Sequence, residues 1–189
     1  MILRNQTAKP LFIILLLLII GGCSVWDNFT TYFNLYFNTA TLFEDAENEI
    51  LNQKRDLFSN EPLIIPGNSK TTLVKVIEKS SKLLQFYSNT SYVDEALMML
   101  GKSFYYQTNY QKSKRKFEEL LATNPPDSEV VNEANLWIAK CSFELREFSQ
   151  ALKLIKEVRV KAVENDYENI IRDSYVQEIK YRIKEKDYP

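Results

Sequence analysis

Apolar residues recur at intervals of three and four along most of the chain after residue 34, a spacing that places them on one side of an α-helix. The first stripe lies in residues 35–51 and consists of Leu35, Thr39, Ala40, Phe43, Ala46 and Ile50. A second stripe occupies residues 71–87, and the segment 59–69 between them contains prolines and a glycine, which interrupt helices. This pattern predicts an irregular pair of helices within residues 34–88.

Two later segments of the chain repeat each other. Residues 94–120 align with residues 132–158 when the sequence is shifted by 38 positions. The matching pairs are Glu95/Glu133, Ala96/Ala134, Leu100/Ile138, Gly101/Ala139, Lys102/Lys140, Tyr105/Phe143, Tyr110/Phe148, Ser113/Ala151 and Phe117/Ile155. Each copy is predicted to form two helices joined by a short turn, at residues 107–109 in the first copy. We therefore predict helical repeats at 92–125 and 130–163.

Small residues mark the places where the two helices of a repeat are expected to cross closely. Gly101 on the first helix and Ser113 on the second leave room for a close neighbour. Cys141 occupies the place of Ser103 in the first copy, and we predict that it is a buried, unreactive thiol. Pro125 is expected to end the second helix, because proline lacks the N–H group and clashes with the preceding turn.

A third copy begins near the end of the sequence. Residues 173–188 align with the first helix of the second copy, with an acid and a lysine in matching places, Asp173 and Lys180. We predict a partial repeat at 170–189. Two interpretations are open here: a solitary capping helix, or the start of a unit that continues in a longer protein.

The repeats resemble the tetratricopeptide repeat, a helix–turn–helix unit of about 34 residues. The matching positions are Leu97, Leu100, Gly101, Phe104, Ser113, Phe117 and Pro125. The segment "FYSNTSYVDEALMMLGKSFY" at 86–105 also resembles the "YPNSPYADEALYxLG" junction of outer-membrane tetratricopeptide lipoproteins, the BamD and YbgF-like proteins. The resemblance implies an all-α solenoid of antiparallel helix pairs over 34–189. It also implies a protein-binding scaffold.

The start of the chain has the features of a secretory signal peptide. Arg4 and Lys9 precede an unbroken apolar block of ten residues, 11–20. The block is short for a transmembrane helix, which needs roughly 20 apolar residues. An uncleaved signal anchor is the alternative interpretation.

The apolar block ends in the sequence "IGGC", which resembles a bacterial lipobox. The resemblance implies a signal peptide at 1–22, cleavage before Cys23 and attachment of lipid to Cys23, followed by a tether at 23–33. Ser24 follows the cysteine, and by the same resemblance this implies retention at the outer membrane, facing the periplasm. Several acyl chains would anchor the protein stably, since one chain alone binds a membrane only marginally.

Composition and charge narrow the classes of function. After residue 22 the sequence carries 22 basic and 25 acidic residues, a net charge of −3, with no basic block suited to nucleic acid. Histidine is absent, which removes the commonest general base and metal ligand. The sequence also has no phosphate-binding glycine loop and no Cys-x-x-Cys pair. We therefore predict no catalytic site, no cofactor and no bound metal.

The first helix of each predicted repeat carries an acid and, seven residues later, a lysine on the same face. In tetratricopeptide arrays this face lines a concave groove. The candidate groove residues are Glu95, Met98, Lys102, Tyr105, Tyr106, Glu133, Leu136, Lys140, Phe143, Asp173 and Lys180. On one interpretation, the lysines bind carboxylates of a partner peptide and the aromatic rings supply contact area. On the other, the acids and lysines form weak ion pairs between neighbouring helices.

Residues 25–38 are dense in aromatic side chains and directly follow the predicted lipid site. They could form a belt at the membrane surface, where tyrosine and tryptophan are favoured, or pack as the entry of the first helix into the solenoid. The sequence does not separate these two interpretations.

These expectations combine into a lipid-anchored, non-catalytic scaffold for envelope assembly. A BamD-like role beside an outer-membrane β-barrel assembly complex is the first hypothesis. The alternatives are a YbgF-like coordinator of the cell wall, a lipoprotein of a gliding or secretion machine, and a module that binds peptidoglycan or a small ligand. Groove chemistry would separate them, because a saccharide site favours aromatic platforms with Asn, Gln and Asp.

Overall fold

The computed structural model describes residues 32–54, 63–88, 90 and 92–186. The helices in these ranges are α1 (residues 32–51), α2 (Gly67–Phe86), α3 (Val93–Tyr106), α4 (Tyr110–Ala122), α5 (Ser128–Glu144), α6 (Phe148–Glu164) and α7 (Glu168–Lys186). The described ranges contain no strand, so the predicted all-α class is confirmed. No helix in the described ranges combines the length and the hydrophobicity that a membrane span requires. The predicted signal peptide and Cys23 lie outside the described residues.

Successive helices pack against each other in the predicted antiparallel pairs. Connections of three to five residues join the helices from α3 to α7, and such short connections make neighbours antiparallel. Helix α3 also touches α5, and α5 touches α7, so the first helices of the repeats lie side by side. This is the arrangement of an α-solenoid, in which each repeat buries its apolar face on its neighbours.

The apolar stripes predicted from the sequence are the buried faces of the helices. Phe43, Ala46 and Ile50 of α1 are buried with Leu73 and Val76 of α2, in a cluster that continues through α3 and α4 into α5. A second cluster joins α5, α6 and α7. Burial of one large apolar side chain contributes about 1.5–3 kcal/mol, so these clusters supply the main stabilisation of the solenoid.

The predicted close crossing at Gly101 is confirmed. A Cβ atom added to Gly101 would lie 2.7 Å from the ring of Phe117, a side chain that is fully buried. At the same crossing the Ser113 hydroxyl donates a 2.8 Å hydrogen bond to the carbonyl of Gly101. The Cys141 thiol of α5 donates to Ser113 Oγ over 3.2 Å. Small residues therefore let α4 pack directly on α3 and reach α5.

The turns after α3 and α5 share one backbone geometry. Thr108 and Arg146, which are 38 positions apart, have φ angles of 59° and 64°. The N–H of the next residue, Asn109 or Glu147, donates to the carbonyl five positions earlier. This pattern is the Schellman motif, whose left-handed residue is most often glycine. The repeat seen in the sequence is therefore also a repeat of backbone conformation, and the predicted turn at 107–109 is confirmed.

Two helices begin earlier than their apolar stripes predict. Helix α2 begins at Gly67, four residues early, and its first turn is held because Ser69 is fully buried and donates to Glu49 of α1. Helix α7 begins at Glu168, two residues before the predicted partial repeat at 170–189, and its first turn places Ile170 in the second buried cluster. In both cases tertiary contacts extend the helix beyond the part that the sequence pattern indicates.

The contact between Gly101 and Phe117 predicts the effect of adding a single methyl group. Overpacking of a core typically costs about 1–3 kcal/mol, while alanine gains about 1 kcal/mol over glycine in a helix. Because the buried Phe117 ring has little space to move, we expect Gly101→Ala to lower the free energy of unfolding by about 1–2 kcal/mol. Urea denaturation followed by circular dichroism measures the change.

The matched control is Gly67→Ala, because an added Cβ at Gly67 meets no atom within 4 Å. This variant should be as stable as the parent chain or slightly more stable. Equal stability of the two alanine variants would contradict the close-packing explanation.

Candidate protein-binding groove

The first helices of the solenoid line a groove of about 690 Å³. Its walls come from α1, α3, α5 and α7, with the segment 63–65 and the turn after α3 at one end. Helix α5 lies in the middle and contributes the largest share of the lining. The groove is therefore a product of the repeat geometry, since each repeat places its first helix on the same face.

Nine of the eleven residues predicted to line the groove do so: Lys102, Tyr105, Tyr106, Glu133, Leu136, Lys140, Phe143, Asp173 and Lys180. The structure does not bring the other two into the groove. Glu95 lies exposed in the first turn of α3, and Met98 packs partly buried against the main apolar cluster. Both precede Lys102 by at least one helical turn, and the groove reaches only the C-terminal half of α3.

The acids and lysines of the groove form ion pairs between neighbouring first helices. Lys102 Nζ of α3 lies 2.7 Å from Glu133 of α5 and 3.8 Å from Glu47 of α1. Lys140 Nζ of α5 lies 2.5 Å from Asp173 of α7. Each lysine therefore pairs with the acid of the following repeat and not with the acid on its own helix.

Burial shows that these pairs serve the fold. The Lys102 and Lys140 side chains are only 14% and 8% exposed. A lysine held in this way has little freedom to capture a carboxylate of another protein. Of the two interpretations of the lysine ladder, the structure favours ion pairs between helices for Lys102 and Lys140.

Trp137 sits at the centre of the groove floor and was not among the predicted residues. Its ring lies 3.9 Å from Lys140 Nζ and 5.4 Å from Lys102 Nζ, and its Nε1–H donates to Glu133 over 3.2 Å. The Trp137 ring also stacks on the Phe117 ring, which is nearly parallel to it at a centroid distance of 6.0 Å. Cation–π contacts with a buried ring help to hold both lysines in place.

A signal for Trp137 was present in the repeat alignment. The shift of 38 positions places it on Met99, an apolar position between the predicted groove residues Met98 and Lys102. In the structure both Met99 and Trp137 are buried in the main cluster. Trp137 is larger than Met99, and it extends from the buried cluster to the floor of the groove.

The electrostatics of the pairs keep Lys102, Glu133 and Asp173 charged at neutral pH. Burial opposes the charged form of Lys102, but Glu133 and Glu47 outweigh it, so the net effect raises the lysine pKa. Burial would raise the pKa of Glu133 and of Asp173, yet their lysine partners lower both below the usual values. The pairs therefore stabilise the fold at neutral pH.

One end of the groove offers apolar surface to a partner. Leu51 of α1 is 60% exposed there, and Tyr105 and Tyr110 are half-buried. Leu63 and Ile65 complete this end. Sequence analysis missed the contributions of the first helix pair because that pair does not align with the repeats.

Two features of the described residues concern metal binding and thiol chemistry. Among the described residues, no group of three or more acids or cysteines is placed to hold a metal ion. Cys141 is buried, and burial raises the pKa of its thiol to about 12. The thiol is therefore protonated at neutral pH and unreactive, as the sequence predicted.

Comparison with known protein families agrees with this geometry. Residues 4–182 match a family described as a tetratricopeptide repeat-like domain. The chain belongs to this family. A search of curated proteins found no match to the chain. As a tetratricopeptide repeat-like protein, it is a scaffold for protein–protein interactions, and domains of this kind are typically non-catalytic.

The pairing of Lys102 in this tetratricopeptide repeat-like domain predicts a strong effect of its removal. Lys102→Ala would take away the ammonium group that contacts both Glu133 and Glu47. We expect a loss of about 2–3 kcal/mol in the free energy of unfolding, less than for a wholly buried pair because Glu133 is partly exposed. The double variant Lys102→Met, Glu133→Gln should recover most of this loss, as measured by urea denaturation.

Lys82→Ala is the control, because Lys82 and Glu78 form a pair on the exposed surface of α2. This substitution should leave stability unchanged. A similar loss for Lys82→Ala and Lys102→Ala would contradict the structural role of the groove pairs.

Acid should also weaken the solenoid through the same groups. Because Glu133 and Asp173 have lowered pKa values in the folded protein, their stabilisation is complete above their usual values of 4.5 and 3.8. It is lost as the pH falls through the folded values. We expect the stability of the parent chain to fall more steeply below pH 4.5 than that of the double variant Glu133→Gln, Asp173→Asn. Parallel acid profiles would overturn this assignment.

Proposed function

We propose that this protein is a lipid-anchored scaffold of the bacterial envelope that holds a segment of a partner protein in its groove. The observation that carries the proposal is the groove of about 690 Å³ along the first helices of a tetratricopeptide repeat-like domain. A groove formed by rigid helices suits an extended segment or a single helix of a partner.

The groove favours a partner segment that is apolar in part. Two of its lysines are already paired, so they contribute fixed dipoles and little free charge. The exposed Leu51 and the half-buried Tyr105 and Tyr110 provide contact area at one end. Aromatic and aliphatic side chains of this kind supply most of the binding energy of protein interfaces.

The anchor part of the proposal is supported by the start of the sequence. The "IGGC" lipobox predicts lipid on Cys23, and an uncleaved apolar anchor is the alternative. The family match begins at residue 4 and therefore takes in the apolar block 11–20. Either form of anchor would hold the helical domain beside a membrane. Labelling with radioactive palmitate, with Cys23→Ser as the negative control, separates the two.

The finer proposal is a BamD-like role in outer-membrane protein assembly. Its support is the lipobox together with the resemblance at 86–105, which forms the end of α2 and most of α3. In that segment Asp94 accepts a hydrogen bond from Thr123, and Gly101 packs on Phe117. These residues serve the architecture, so the choice of this machine rests mainly on the predicted anchor.

The experiment is a crosslinked pull-down of the full chain with a C-terminal tag from intact cells, read by mass spectrometry. We expect an outer-membrane barrel-assembly protein among the partners. Leu51→Glu should reduce its capture several-fold, because the charge enters the apolar end of the groove. Val74→Glu is the matched control, since Val74 is similarly exposed, 56% against 60%, and does not line the groove.

Capture of only cell-wall, gliding or secretion proteins would overturn the BamD-like role and keep the scaffold. Equal capture by the Leu51→Glu and Val74→Glu variants would overturn the groove as the binding site. Binding of purified peptidoglycan fragments, with no protein captured, would favour the ligand-binding alternative.

A further inference from the structure

The exposed face of α1 is aromatic at one end of the helix and polar at the other. An α-helix turns 100° per residue, so five exposed residues fall within a sector of about 80° on its surface: Phe33, Phe37, Thr41, Glu44 and Asn48. The half nearest the start of the chain is aromatic, and no charged residue occurs between positions 32 and 43. The other half is polar, and the exposed Asp45 beside Glu44 makes it acidic.

Packing explains only part of the aromatic segment. Tyr32 is buried between Tyr87 and Tyr92, with ring centroids 4.7 Å and 5.6 Å away, and Tyr36 stacks on Tyr92 at 4.0 Å. These contacts agree with one of the two interpretations of the aromatic segment, in which it packs where the first helix enters the solenoid. They account for two tyrosines on the inner side of α1.

Two phenylalanines on the outer side stay in contact with solvent. Phe33 and Phe37 are 38% and 46% exposed, and their rings lie 4.2 Å apart as one apolar patch. Packing therefore accounts for the inner face of the described part of α1, and the membrane-surface interpretation concerns its outer face.

The position of this patch in the chain limits its distance from the proposed membrane anchor. Eleven residues separate the end of the apolar block at Ile20 from Tyr32. A fully extended chain of that length spans at most about 40 Å. If the block or the lipid on Cys23 is held by a membrane, the start of α1 stays close to that membrane. The inference below rests on this anchor part of the proposed function.

We propose that the N-terminal half of α1 contacts the lipid headgroup region through Phe33 and Phe37, while the half that carries Glu44 and Asp45 extends away from the bilayer. Aromatic side chains favour the membrane interface. Carboxylates are repelled by anionic headgroups, so the two acids fix which end of α1 faces the lipid. The domain then stands on the membrane by one end of its first helix.

The test uses the full chain reconstituted in phosphatidylcholine and phosphatidylglycerol vesicles whose acyl chains carry bromine, which quenches nearby fluorophores. A bimane label is attached at Phe37→Cys or, as the matched control, at Asn48→Cys. These exposed positions are eleven residues apart, so they lie within about 20° around α1 and about 16 Å apart along it. The parent chain, treated with the same label, corrects for reaction at Cys23 and Cys141.

We expect brominated lipid to quench the label at position 37 several-fold more than the label at position 48. Iodide in the aqueous phase should show the reverse order, at a high ionic strength that screens the acids near position 48. Circular dichroism confirms that both variants keep the helical content of the parent chain.

Equal quenching at both positions would overturn the proposal. So would protection of position 37 from iodide without lipid quenching, because that result means a second copy or another protein covers the patch. Disulfide formation between two Phe37→Cys chains identifies the second copy. Flotation of the vesicles tests the anchor separately: loss of association overturns the anchor and the contact, whereas association without quenching overturns the contact alone.

Discussion

The packing of Phe117 is the constraint on which the rest of the structure depends. Its ring lies where Gly101 has no side chain, which lets α4 approach α3. The same ring stacks on Trp137 of α5, so one buried side chain joins three helices and two repeats. Trp137 in turn holds the ammonium groups of Lys102 and Lys140 close to its ring. The groove floor is therefore an extension of the core.

This continuity explains how the groove uses its charges. The lysines and acids join α1, α3, α5 and α7, so they set the spacing of the first helices. A partner that binds in the groove, as proposed, would meet lysines that are already paired and held in place, and a pre-ordered surface lowers the entropy cost of binding. Under the proposed function, contact energy would come from the exposed Leu51 and the half-buried Tyr105 and Tyr110. Changes to the paired residues should act on binding mainly through stability.

Local and periodic features of the fold could be predicted from the sequence, whereas the partners that side chains find on neighbouring repeats could not. The shift of 38 positions revealed the repeats, the turn at 107–109 and the small residue at Gly101, because each recurs at a fixed place in both copies. The lysine pairs were expected on the right face. Their partners depend on the register between neighbouring helices, which no spacing within one helix determines, so Glu47 and the central place of Trp137 were missed.

The size of the side chain at one position of the repeat differs between the three copies, and so does the surface opposite it. Gly101 faces the large ring of Phe117, and Ala139, its counterpart, lies in a cluster with the smaller Ile155. The corresponding residue of α7 is Ile179, which is 41% exposed because none of the described helices covers it. The side chain at this position is therefore absent where the large Phe117 ring packs on it, small in the second repeat and large where it is exposed on α7. Because protein interiors are close-packed, two side chains that meet at a buried helix crossing must share a limited space. A sequence aligned by its repeats therefore carries information on helix contacts that no single helix contains.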